Sequence, residues 1–87
     1  MHIEQTIKTG GFKYRIKAIV NDDDSMKFDI FDRFMISGDM ATEIIISGRI
    51  DKFGRCHISD ACLDVHASYA MGEIMKGVYE MSYELLA

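Results

Sequence analysis

The chain has no proline and no tryptophan among its 87 residues, and only two cysteines, Cys56 and Cys62. Without proline, its turns must come from glycine, asparagine and aspartate, which tolerate left-handed backbone or bond to their own main chain. Two cysteines do not make the dense disulfide framework of a small secreted domain, so free thiols in a reducing compartment are expected. Long apolar runs are missing too. The longest aliphatic stretch is Ile44-Ile45-Ile46, far short of the ~20 residues a spanning helix requires. No apolar signal-peptide core is evident near the N-terminus. These absences predict a cytoplasmic protein with no membrane partner.

Catalytic and cofactor signatures are equally scarce. Gly10-Gly11 lies between two alternating segments and not between a strand and a helix, so it is no phosphate loop. Neither Gly-x-Ser-x-Gly nor His-Glu-x-x-His occurs. No cofactor is expected on these grounds.

What is present describes an ordinary globular chain. Apolar residues make up 48%, and the length suits a single domain over residues 1–87. So small a chain buries only about two-thirds of its unfolded surface, which makes a homodimer a natural source of added stability. The net charge of −4 is unevenly spread. Residues 1–20 carry Lys8, Lys13, Arg15 and Lys17 against Glu4, a net of +3, which leaves −7 for the remainder.

Periodicity predicts an α+β fold, with an antiparallel sheet of about five strands and one long C-terminal helix packed on one face. Gly10-Gly11 reads as a two-residue hairpin turn. It sets Thr9 opposite Phe12, Ile7 opposite Tyr14, Gln5 opposite Ile16 and Ile3 opposite Ala18. The loop from Asn21 to Ser25 sets Val20 opposite Met26, Ala18 opposite Phe28 and Ile16 opposite Ile30. Both turns place the same apolar face inward, so residues 2–31 read as a three-stranded meander. Alternation fails from Phe31 to Ile36, which predicts a bulge or a doubly covered strand, and Gly38-Asp39 then breaks the chain. A fourth strand over Glu43–Asp51 and a fifth beginning at Arg55 form a hairpin through Lys52-Phe53-Gly54. Ile44, Ile46, Ile50, Cys56 and Ile58 then share a face. Whether this hairpin joins the meander is left open by the sequence. Met71, Ile74, Val78, Met81 and Leu85 recur every three or four residues, an apolar helical stripe. Its helix starts at Ser59-Asp60, with Asp60 and Asp64 in the first turn, or else at Ser68. Gly72 and Gly77 are costly inside a helix, which predicts a packing reason for each.

Four groups are candidate sites. Cys56, Cys62 and His66 combine soft thiolates with an imidazole, and on a helix Cys62 and His66 would share a face. Such a set suits zinc or a Cys–His nucleophile pair. It lacks the paired Cys-x2-Cys knuckles of structural zinc sites, and buried thiols commonly act as small apolar groups. Asp22-Asp23-Asp24 reads as a solvated hairpin tip, since a calcium loop needs six to eight spaced oxygens. Lys8, Lys13 and Arg15 form a basic patch, with Lys17 neutralised between Glu4 and Asp29. Finally, Tyr69, Gly72, Lys76, Tyr79 and Tyr83 form a heptad-like seam opposite the apolar stripe, and tyrosine is enriched at protein interfaces.

These features favour a non-enzymatic module that binds another protein through the tyrosine seam, the basic hairpin, or both. A small inhibitor or adaptor fits, and a compact phage or mobile-element inhibitor is one concrete form. The alternative is a ligand-binding protein or small enzyme with Cys62 and His66 at a dimer seam. A third reading is weak nucleic-acid binding through Lys8, Lys13 and Arg15, which the acidic net charge disfavours.

Overall fold

Strict alternation along residues 12–20 puts Tyr14, Ile16 and Ala18 on one side of a strand, and all three are fully buried. Lys13, Arg15 and Lys17 between them belong to the other side, because successive strand side chains point to opposite faces. The computed structural model describes residues 2–9, 12–31 and 44–86. In chain order it contains β1 (His2–Thr9), β2 (Phe12–Val20), β3 (Met26–Phe31), β4 (Ile44–Ile50), β5 (Cys56–Ala61) and α1 (Val65–Leu86). The strands form one antiparallel sheet in the order β1-β2-β3-β4-β5, with α1 packed on one face.

The meander has the register its turns predict. Ile3, Gln5, Ile7 and Thr9 lie opposite Ala18, Ile16, Tyr14 and Phe12. Ile16, Ala18 and Val20 lie opposite Ile30, Phe28 and Met26. Gly10 and Gly11 themselves lie outside the described residues. In the next turn the Asn21 N–H donates to the Ser25 carbonyl at 2.8 Å, and Asp24 takes a φ of 62°. The Asp23 carboxylate closes this turn by accepting from the Ser25 N–H at 3.1 Å and from the Ser25 hydroxyl.

The hairpin joins the meander through β3, with Ile46 opposite Ile30 and Gly48 opposite Phe28. Its own register is the expected one, Ile50 opposite Cys56 and Gly48 opposite Ile58. The turn closes with Gly54 at a φ of 82°, and its N–H donates to the Asp51 carbonyl at 2.9 Å. Two irregularities revise the expected faces. The β3–β4 register shifts at Ile30/Phe31, so Ile45 is an extra residue. Ile45 and Ile46 are therefore both buried, at 6% and 1% exposure, while Ile44 is 45% exposed and not part of the core. A bulge reverses the alternation beyond it, which a strict period of two misses. A second shift, at Ser47/Gly48, makes Ser59 the extra residue on β5. Ile58 is exposed although it shares the face of Gly48. Residues 32–36, Gly38-Asp39 and Glu43, where the third strand, a break and the start of the fourth strand were expected, lie outside the described residues.

Helix α1 starts at Val65, later than Ser59-Asp60 and earlier than Ser68. Residues 56–61 extend as β5, and Asp64 is the N-cap: its carboxylate accepts from the Ala67 N–H at 2.8 Å. Ala67, Ala70, Ile74, Val78 and Met81 form the buried stripe and face Tyr14, Ile16, Met26, Phe28, Ile30 and Ile50 in one core. The helix crosses the sheet over β1, β2 and β3. It runs in the sense of β2. The His66 ring lies 4.9 Å from that of Phe12 at the start of β2, while Ser82, Tyr83 and Leu86 flank a cleft with Ile50 at the other end.

The glycines divide by function. A Cβ on Gly77 would come within 2.5 Å of the Ile7 Cδ1, so Gly77 lets the helix approach the sheet closely. Gly72 is open, with nothing within 4 Å of such a Cβ, so its expected packing reason is absent. At Gly48 a Cβ would lie 2.6 Å from the His57 carbonyl oxygen and 2.9 Å from Phe28 Cζ, and backbone cannot yield cheaply. Urea unfolding should show Gly72→Ala more stable by about 0.5–1 kcal/mol, from helix propensity alone. Gly48→Ala should be less stable by about 1–3 kcal/mol, from overpacking. Equal effects at the two sites would contradict this arrangement.

Candidate partner-binding surfaces

Two surfaces remain outside the core, the outer side of α1 and the uncovered face of the sheet. On α1, Tyr69 and Tyr83 are 88% and 70% exposed, and Gly72 and Lys76 are exposed between them. Fourteen residues separate the tyrosines, about 21 Å along a helix. Tyr79 does not belong to this open strip. It is half-buried against the core and bonds to the Cys56 thiol. Burial, and then the neighbouring thiol, push the Tyr79 hydroxyl above its ordinary pKa of 10.0.

The seam ends in a cleft between the C-terminal turn of α1 and the β4–β5 turn. Ile50, Asp51, Lys52, Gly54, Ser82, Tyr83 and Leu86 enclose about 220 Å³. Phe53, between two of these residues, is largely exposed, with the Lys52 ammonium 5.3 Å from its ring. Ile50 and Leu86 give the cleft apolar walls, and Tyr83, Asp51 and Lys52 give it polar ones. The Ser82 hydroxyl is absorbed internally, donating to the Tyr79 carbonyl at 2.7 Å.

The Cys/His set is dispersed. Cys56 begins β5 and Cys62 follows its end, about 20 Å apart at roughly 3.3 Å per residue. Cys62 is exposed and precedes the helix, so it shares no helical face with His66. Its N–H continues the sheet by donating to the Ile45 carbonyl at 2.8 Å. His66 packs on Phe12. Burial pushes the Cys56 thiol above 9.0, partly offset by the hydrogen bond with Tyr79, so a reactive thiolate is disfavoured there. Among the described residues no three His, Cys, Asp or Glu side chains converge as metal ligands. Asp23 of the aspartate triplet is committed to Ser25.

The uncovered sheet face carries the basic row. Lys8 is exposed, whereas Arg15 lies over the Phe31 ring at 4.9 Å. Lys17 also lies over Phe31, at 5.1 Å, and pairs with Glu4 at 3.3 Å. Asp29 accepts a hydrogen bond from Ser47 at 2.6 Å. Farther across, Lys27, Arg49 and His57 lie directly opposite one another on β3, β4 and β5. The Asp51 carboxylate meets the His57 Nε2 at 2.8 Å and accepts from the N–H groups of Phe53 and Arg55, each at 2.9 Å.

No known protein family, curated protein or solved structure matches this chain. No helix among the described residues is long and apolar enough to cross a membrane. Sequence reasoning missed the cleft and the Lys27–Arg49–His57 row. The hairpin register already implied that Arg49 faces His57. Only the β3–β4 pairing adds Lys27, and it follows a segment whose alternation fails.

Asp51 offers a test of the β4–β5 turn. Hydrogen bonding to His57, then to the Arg55 N–H, holds its carboxyl at about 2, below the ordinary 3.8. Its folded pKa is depressed, so its stabilising contribution is present above about pH 4 and is lost as pH falls through about 2. Asp51→Ala should be less stable than wild type at neutral pH, and denaturant midpoints should converge as pH drops towards 2. A gap independent of pH would rule out this role.

Proposed function

We propose that the chain is a non-enzymatic protein-binding module, an inhibitor or adaptor, which takes an apolar side chain of its partner into the cleft at the C-terminal end of α1. The observation that carries this reading is the cleft itself. It is an apolar-walled recess of about 220 Å³, bordered by exposed Tyr83 and adjoining exposed Phe53. Recesses of this kind accept the anchor residues that dominate binding energy. Tyr69, Gly72 and Lys76 continue the contact along the helix, and Tyr79 supports it from beneath by fixing α1 against β5. A second copy of the chain is one such partner, and small size makes a homodimer reasonable.

The alternative with Cys62 and His66 as an acid–base or nucleophilic pair has less support. Cys62 lies outside the helix and His66 packs on Phe12, so helical spacing does not bring the two onto one face.

Tyr83 and Tyr69 are exposed, so their replacement should leave the fold intact. Tagged wild-type protein in extract of its own cells should retain a defined polypeptide, or sediment as a dimer if the partner is a second copy. Tyr83→Ala should weaken that association by roughly 2 kcal/mol or more, the scale of an interface hot spot. Tyr69→Ala should weaken it less. Association unchanged in the Tyr69/Tyr83 double variant would refute the helix surface.

A further inference from the structure

The uncovered sheet face holds a second recess, independent of the one on α1. It encloses about 250 Å³, with Asn21, Lys27, Arg49, His57 and Ser59 as its polar lining and Gly48 and Ile58 as its apolar lining. Lys27 lies directly opposite Arg49, and Arg49 directly opposite His57. Three basic side chains thus originate within about 10 Å across three neighbouring strands. Like charges directly opposite one another destabilise a sheet. Of the nearby carboxylates, Asp23 attracts Arg49 without forming an ion pair with it, and each makes its hydrogen bonds elsewhere. Asp23 closes the turn with Ser25, Asp29 binds Ser47, and Asp51 holds His57. Among the described residues neither Lys27 nor Arg49 forms an ion pair.

The donor set has the character of an anion site. The Arg49 guanidinium can give two parallel hydrogen bonds, and Lys27 supplies a point charge. The Asn21 side-chain amide uses one N–H on Ser25 Oγ, at 3.0 Å, and keeps a second. Asp51 holds His57 through Nε2, so Nδ1 can donate to an anion only in the imidazolium form.

We propose that this recess binds a phosphate group, carried by a small phosphorylated ligand. The volume suits one phosphate and part of the group bearing it. A polynucleotide backbone fits less well. Along the same face Glu4 takes up Lys17, Arg15 and Lys17 cover Phe31, and Asp29 interrupts the basic track.

The test is a titration of uniformly labelled protein with inorganic phosphate, followed by ¹H–¹⁵N correlation spectra. Saturable shifts should concentrate at Asn21, Lys27, Arg49 and His57. Arg49→Gln, at an exposed position, should keep the dispersed spectrum and weaken phosphate binding at least tenfold. Lys17→Ala removes an equal charge from the same face and should change the affinity less than twofold. Shifts scattered over all basic residues, or equal losses in the two variants, would overturn the site. A parallel titration with single-stranded oligothymidine identifies the occupant. Shifts confined to the recess, with no gain in affinity per phosphate, support a small ligand. Much tighter, salt-sensitive binding that spreads to Lys8, Lys13 and Arg15 would overturn that occupant in favour of nucleic acid.

Discussion

The burial of one face of β2 and β3 beneath α1 is the constraint on which the other features depend. Tyr14, Ile16, Ala18, Met26, Phe28 and Ile30 turn inward and meet Ala67, Ala70, Ile74, Val78 and Met81. Fully burying an aliphatic or aromatic side chain contributes about 1.5–3 kcal/mol, far more than any single exposed ion pair on this protein. Once those residues are inside, alternation sends Arg15, Lys17, Lys27 and Asp29 to the opposite face. The helical period likewise sends Tyr69, Gly72 and Lys76 outward. Both candidate surfaces are consequences of one packing decision.

The meander was legible because two short turns independently imposed the same buried face. With β2 seated under the helix, a one-residue slip at the first turn would have put Thr6 and Lys8 on the buried face, and one at the second Lys27 and Asp29, which no partner there could offset. The hairpin register was legible for the same reason, through Gly54. What the sequence could not convey was the departure from strict alternation. Ile44, Ile45 and Ile46 are chemically equivalent, and only the shifted pairing with β3 decides which two are buried. The start of α1 was obscured by similar ambiguity. Leu63 and Ala67 continue the helical stripe backwards, so residues 60–64 satisfy both patterns. The Asp64 cap and the pairing of Ala61 with Ile46 resolve it.

The surfaces were less legible than the fold. Tyr69 and Tyr83 could be placed outside by period alone. Tyr79, at the edge of the same arc, leans onto β5 because Cys56 lies beneath it, a tertiary neighbour no helical wheel contains. The Cys62–His66 pair looked coherent only on the assumption of a continuous helix, and the extension of β5 removes it. Conversely, the recess of Lys27, Arg49 and His57 joins residues 30 positions apart, through a pairing that local patterns do not specify.

Covalent labelling of tyrosine tests this sidedness most directly. The four tyrosines occupy different environments: Tyr14 in the core, Tyr79 between α1 and β5, and Tyr69 and Tyr83 on the outer side of the helix. Brief nitration of the native protein followed by peptide mapping should modify Tyr69 and Tyr83 first and Tyr79 slowly. Tyr14 should remain unmodified until the chain is unfolded. Modification of Tyr14 at the rate of Tyr83, or protection of both Tyr69 and Tyr83 in the isolated monomer, would mean that α1 covers the sheet with a different face and that neither surface is placed as described.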